Sequence, residues 1–145
     1  MGGKMKKYIY TAILMITAAS AYAFEVTGDH FKANFTIDSV TVAENQATIN
    51  VSSKSADVGQ YGKVYLSYTF TSNPAIKSSG TWEGHGRGIS PDGVMQRGIL
   101  KGVWTRDGGV IHMKSLDSVS DGVNYMQGTL NLLTGNVDIE VYAVK

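Results

Sequence analysis

Apolar and polar residues alternate along this chain from its first third to its end. Phe31, Ala33, Phe35 and Ile37 are separated by Lys32, Asn34 and Thr36; Ala47, Ile49 and Val51 by Thr48 and Asn50. Val64, Leu66, Tyr68 and Phe70 repeat the pattern. A period of two is the signature of a half-buried strand, and after Phe24 almost no stretch shows the 3.6-residue period of a helix. Five further alternating segments follow at short spacing, which predicts about eight strands. The expected fold is all-β: an eight-stranded antiparallel up-and-down (meander) β-barrel, which closes its own edges. A two-sheet β-sandwich is the alternative. No linker or break in composition divides residues 24–145, so they read as a single barrel domain.

The turns of the second half suggest a register. Ser90-Pro91-Asp92-Gly93 suits a type I turn followed by a glycine bulge. It sets Trp82 opposite Gly102, Leu100 opposite Gly84 and Trp104 opposite Gly80, so each large side chain covers a bare glycine. Asp107-Gly108, taken as the centre of a two-residue hairpin, places Trp104 beside Ile111, Gly102 beside Met113 and Gly98 beside Asp117. Asp121-Gly122 likewise places Met113 beside Leu130 and Ile111 beside Leu132. Thr134-Gly135 places Leu132 beside Val137 and Leu130 beside Ile139. These assignments put Trp82, Leu100, Trp104, Ile111, Met113, Leu130, Leu132, Val137, Ile139 and Val141 on one inner face. The other face carries Glu83, His85, Arg87, Arg97, Lys101, His112, Lys114, Gln127, Asn131, Asp138 and Glu140. A membrane barrel of the bacterial outer-membrane type needs an apolar outer band, which this face lacks.

The first 23 residues change the picture of where the domain works. Lys4, Lys6 and Lys7 precede an uncharged, mostly apolar run from Tyr8 to Ala19, and Ala21-Tyr22-Ala23 is a small-x-small cleavage pattern. Residues 1–23 therefore read as a signal peptide cleaved after Ala23. The apolar run is shorter than the roughly 20 residues a spanning helix needs, so no membrane span is expected after cleavage. The expected destination is the periplasm or the exterior. The whole chain holds 13 basic and 12 acidic residues. Without the three N-terminal lysines the balance is 10 against 12, a net of −2, which offers nucleic acid no electrostatic attraction. There is no cysteine, which excludes disulfides, thiol nucleophiles and cysteine zinc sites.

The inner face grades from crowded to sparse. Trp82, Trp104 and Ile111 fill one end; at the other, Gly86 faces Gly98 and Gly88 faces Gln96, followed by Ser115, Asp117 and Met126. Missing side chains beside a carboxylate, an amide and a hydroxyl predict a cavity with polar handles, and an eight-stranded barrel is just wide enough to hold one small ligand. The candidate ligand-binding residues are Trp82, Leu100, Trp104 and Met113 as the wall, Gln96, Ser115 and Asp117 as the polar end, and Tyr68 as a further hydroxyl. Glycines inside barrel strands also serve close backbone approach, so the same residues suit a filled barrel. Glu83, His85 and Arg87 share a strand face, but the register turns it outward with Glu83 opposite Lys101, and no metal site or cofactor is expected. Gly84-His85-Gly86-Arg87-Gly88 alternates within a strand and does not open a helix, so it is not a phosphate loop. No Ser-His-Asp constellation can be assembled, because His85 and His112 face away from the inner serine and aspartate.

From Gly80 to Val144 the chain resembles small bacterial proteins with allene-oxide-cyclase-like barrels. The resemblance rests on Gly80-Thr-Trp-Glu-Gly-His-Gly-Arg-Gly, Pro91-Asp-Gly, Gly102-Val-Trp, Arg106-Asp-Gly and Ser120-Asp-Gly. It implies an eight-stranded barrel with an apolar cavity, often self-associating. In the plant cyclases the cavity steers a cofactor-free ring closure of an unsaturated fatty-acid epoxide, and none of their catalytic residues matches a position here. Three functional expectations result. The first is an exported barrel binding a small apolar or amphipathic molecule. The second is a cofactor-free isomerase or cyclase using the same cavity. The third is a structural module with a filled barrel that forms a homo-oligomer through Ile99, Val103, Leu116, Tyr125 and Tyr142.

Overall fold

The computed structural model describes Val26, Gly28 and residues 30–55 and 61–144. The expected signal peptide lies outside the described residues. Eight strands follow one another: β1 (His30–Val42), β2 (Gln46–Ser53), β3 (Lys63–Ser72), β4 (Ser79–Ile89), β5 (Met95–Asp107), β6 (Val110–Val119), β7 (Gly122–Asn131) and β8 (Asn136–Ala143). Each pairs antiparallel with the next, and β8 returns to β1 from His30↔Tyr142 to Thr36↔Asn136, closing the barrel. The meander barrel is the fold, and the sandwich alternative is set aside.

The alternation that predicts strands also fills the interior. Ala33, Phe35, Ile49, Val51, Tyr68, Phe70, Trp82, Leu100, Trp104, Ile111, Met113, Met126, Leu130, Val137, Ile139 and Val141 are buried in one continuous core. In β1, Asp38 is an extra residue between the pairs Ile37↔Val51 and Ser39↔Asn50, a bulge of the kind that bends barrel strands. Glu83, His85, Arg97, Lys101, His112, Lys114 and Asp138 are exposed on the outer face, and Glu83 stands 4.0 Å from Lys101.

The β4–β5 register is as the turn chemistry predicts: Gly80↔Trp104, Trp82↔Gly102 and Gly84↔Leu100 are directly opposed. A Cβ on Gly80 would sit 1.9 Å from the Thr71 carbonyl oxygen, and one on Gly102 would sit 2.0 Å from that of Lys114. Backbone from the next strand thus occupies the space a side chain would need. Trp82 Nε1 donates to the Val103 carbonyl at 3.1 Å and Trp104 Nε1 to that of Thr81 at 3.1 Å. Each indole therefore covers bare glycine and satisfies its own N–H within the barrel wall.

The next three hairpins correct the expected register by two residues each. Trp104 pairs with Met113, Gly102 with Ser115 and Leu100 with Asp117, because Gly108-Gly109 and not Asp107-Gly108 forms the turn centre. Gly108 has φ of 58°, a left-handed conformation that glycine adopts without strain, while Asp107 stays in the ladder opposite Val110. Ser120-Asp121 is the centre of the following turn, so Ile111 faces Leu130, Met113 faces Gly128 and Asp117 faces Asn124. The β7–β8 connection is longer than a two-residue turn. Asn131 Oδ1 accepts from the Leu133 and Thr134 amides, and Leu130 faces Val137 while Gly128 faces Ile139. Leu132, expected inside, is 42% exposed because it has left the ladder for this turn. A shift of two leaves every other residue on its predicted face.

Substituting Gly102 by alanine should destabilise the barrel by at least about 2 kcal/mol in urea denaturation, because backbone must move. Gly98→Ala should cost no more than about 1 kcal/mol. There the added Cβ meets a Val119 methyl at 3.1 Å and no backbone atom closer than 4.0 Å. Equal losses would contradict the backbone-contact account.

Candidate ligand-binding site

Two glycine-rich levels follow from the register at the end of the barrel where β3, β5 and β7 begin. Leu66 faces Gly86, which faces Gly98; Val64 faces Gly88, which faces Gln96. One step deeper the row runs Tyr68, Gly84, Leu100, Asp117, Asn124 from β3 to β7. The missing side chains leave less space than their number suggests. A Cβ on Gly86 would lie 2.8 Å from Leu66, one on Gly88 2.6 Å from the Tyr61 ring, and one on Gly98 3.1 Å from Val119. These three neighbours lean into the vacated positions, and Tyr61 is tied across the mouth to Ser120 by a hydroxyl–hydroxyl contact of 2.5 Å.

What remains is a cavity of about 130 Å³. Its wall is mostly apolar, with Phe35, Leu66, Leu100, Ile139 and Val141 among its residues; Tyr68 and Asp117 are its buried polar members. Gln96, Asn124, Asp121 and the exposed Phe31 also line it. Arg87 and Arg97 adjoin it from outward-facing strand positions directly opposite each other, and Arg87 Nη1 donates to the Gly86 carbonyl. Tyr68 also packs edge-on against Trp82, ring centroids 5.0 Å apart, which ties the cavity to the aromatic core.

The polar groups are the unusual part. Tyr68 Oη, Asp117 Oδ1 and Ser115 Oγ are buried side-chain atoms without a hydrogen-bond partner among the described residues. Buried polar atoms are almost always paired, since an unpaired one forfeits its hydration. Desolvation raises the Asp117 pKa from 3.8 to about 6. The Ser115 hydroxyl, two residues away on the same strand face, partly offsets that rise. Burial first, and the Asp117 charge second, push the Tyr68 hydroxyl far above its ordinary value, so it stays neutral. The site therefore combines a neutral hydroxyl with a carboxyl that titrates near pH 6.

Of the residues expected from sequence, Tyr68, Gln96, Leu100 and Asp117 come together at this cavity. Trp82, Met113 and Ser115 are buried in the core behind it. Trp104 lies toward the opposite end, beside a second, open concavity of about 290 Å³ lined by Val40, Val42, Phe70 and Ile111. Sequence reasoning missed Ala33, Phe35, Tyr61 and Val119. The first two arrive through the β1–β8 closure, which no short turn encodes, and Tyr61 precedes β3 in a connection without a periodic pattern. A larger concavity, about 630 Å³, is lined by Lys32, Asn34, His112, Lys114, Asp138 and Glu140 among others. None of the unpaired buried atoms lies there. Among the described residues no cluster of His, Asp or Glu is arranged to hold a metal ion. No family model, curated protein or solved structure matches the chain.

Because the folded state holds the Asp117 proton more tightly than the unfolded chain, this group's contribution is most favourable below about pH 4. It is lost as pH rises through about 6, a difference of roughly 3 kcal/mol. Asp117→Asn should therefore be more stable than the parent at pH 7, with the gap closing toward pH 4. Urea denaturation at the two pH values measures this, and a variant less stable at pH 7 would contradict it.

Proposed function

We propose that this is an exported barrel protein that binds one small apolar or amphipathic molecule in its glycine-rich end. The observation that carries the reading is the cavity lined by the unpaired Tyr68 hydroxyl and Asp117 carboxylate. A polar group that the fold leaves unpaired at such expense calls for a partner from outside the chain. Replacing Asp117 is expected to stabilise, which is the pattern of a residue kept for function at the expense of stability. Export rests on the basic, apolar and Ala-Tyr-Ala pattern of residues 1–23.

Volume limits the ligand. Drug-sized molecules occupy roughly 300–1,000 Å³, whereas an apolar cavity of about 150 Å³ accommodates benzene. A cavity of about 130 Å³ takes a single small ring or a short branched chain, and a long-chain lipid would leave most of its length outside.

A second reading, a cofactor-free isomerase or cyclase of the kind the family resemblance implies, draws on the same pair. A neutral hydroxyl and a carboxyl titrating near pH 6 in an apolar site are equipped to donate to, or take a proton from, a bound molecule. Under that reading Asp117→Asn abolishes turnover while leaving ligand affinity roughly intact.

The binding reading predicts that ring-sized probes such as toluene or benzyl alcohol raise the thermal midpoint by several degrees at millimolar concentration. Ala33→Leu, which places extra carbons in the cavity wall, should remove the shift. Absence of any shift across ring-sized apolar and amphipathic probes would overturn the reading.

A further inference from the structure

Building on that reading, we infer that the cavity's ligand is a small amphipathic amine, with its ammonium against the Asp117 carboxylate and its apolar body among Leu66, Leu100, Ile139 and Val141. The first ground is an imbalance of charge. Asp117 is buried, one carboxylate oxygen has no partner, and the only ion pairs among the described residues, Lys32–Glu140 and Lys101–Glu83, are on the outer face. A buried charge without a counter-charge is strongly unfavourable, and removing the partner of a buried pair is far worse than replacing both. A cationic ligand supplies the missing half of such a pair.

The second ground is hydrogen-bond type. An ammonium carries three donors and no acceptor. Of the unpaired atoms that line the cavity, Tyr68 Oη can accept as well as donate, and the ionised Asp117 carboxylate only accepts. A ligand carboxylate brings acceptors and a like charge to the same atoms. It could be met only at the mouth, where Arg87 and Arg97 stand on outward positions.

The groups around Asp117 make the pH dependence readable. Across β5 it faces Leu100, across β7 Asn124, and on its own strand Ser115, none of which titrates. From β3 it feels Tyr68, which stays neutral. Arg87, Arg97 and Asp121 border the cavity. An alkylammonium stays protonated from pH 5 to 8. The change in affinity over that range thus reports Asp117 itself.

Calorimetric titration of the purified protein with benzylamine, benzyl alcohol, toluene and benzoate, probes of one size, decides the matter. Benzylamine should bind at least about tenfold tighter than benzyl alcohol at pH 8, the worth of one charge-assisted contact. It should lose about tenfold at pH 5, where Asp117 is mostly protonated. Asp117→Asn, with its fold verified by circular dichroism, should erase the preference and the pH dependence while still binding toluene. If benzyl alcohol or toluene binds as well as benzylamine, or if the preference survives Asp117→Asn, the amine assignment falls and the cavity reading stands. Tighter binding of benzoate also overturns it, in favour of the arginines at the mouth. If none of the four probes binds, the cavity reading falls with it.

Discussion

The structure depends on how a closed eight-stranded barrel disposes of its interior volume. At one end the problem is solved by interlocking: Trp82 lies over Gly102 and Trp104 over Gly80, and the neighbouring backbone moves in where Cβ atoms are missing. The two indoles also return their N–H groups to wall carbonyls, so a large apolar mass is buried without an unpaired donor. With Tyr68 and Phe70 they form an aromatic cluster of edge-on and tilted rings with centroids 5.0–6.2 Å apart. This end is a packed core in the ordinary sense.

The other end inherits what the first leaves over. Glycines there are not paired with tryptophans, and Tyr61, Leu66 and Val119 fill only part of the space. The residual cavity is small and apolar, and the same row of side chains that separates it from the core carries Tyr68 and Asp117. Filled and hollow halves are thus two consequences of one glycine pattern. The chemistry lies at their boundary, where a carboxylate is deep enough to be desolvated and next to enough free volume to meet a ligand.

Much of this was legible in the sequence, for physical reasons that also explain the errors. Alternation has a period of two, so it identifies faces, and every inner residue from Trp82 to Val141 was placed correctly except Leu132. Register is a different quantity: a shift of two preserves faces, and three hairpins differ from the expected register because Gly108-Gly109 forms one turn centre, Gly122 follows the next turn centre instead of forming it, and Asn131 caps the third. The slip has a functional consequence. Asp117 is expected opposite Gly98 at the polar end of the cavity; it lies opposite Leu100, one row deeper, and is buried. The β1 wall of the cavity was invisible because barrel closure joins residues about a hundred positions apart, beyond any local signal.

The central claim is that Asp117 is a desolvated carboxyl with no counter-charge among the described residues. Its side-chain carbon chemical shift, followed by ¹³C NMR across pH 3 to 8 in the purified protein, measures this directly. The account predicts a midpoint near 6. A midpoint near 4, that of an ordinary hydrated aspartate, or below it, as for a paired one, would contradict it.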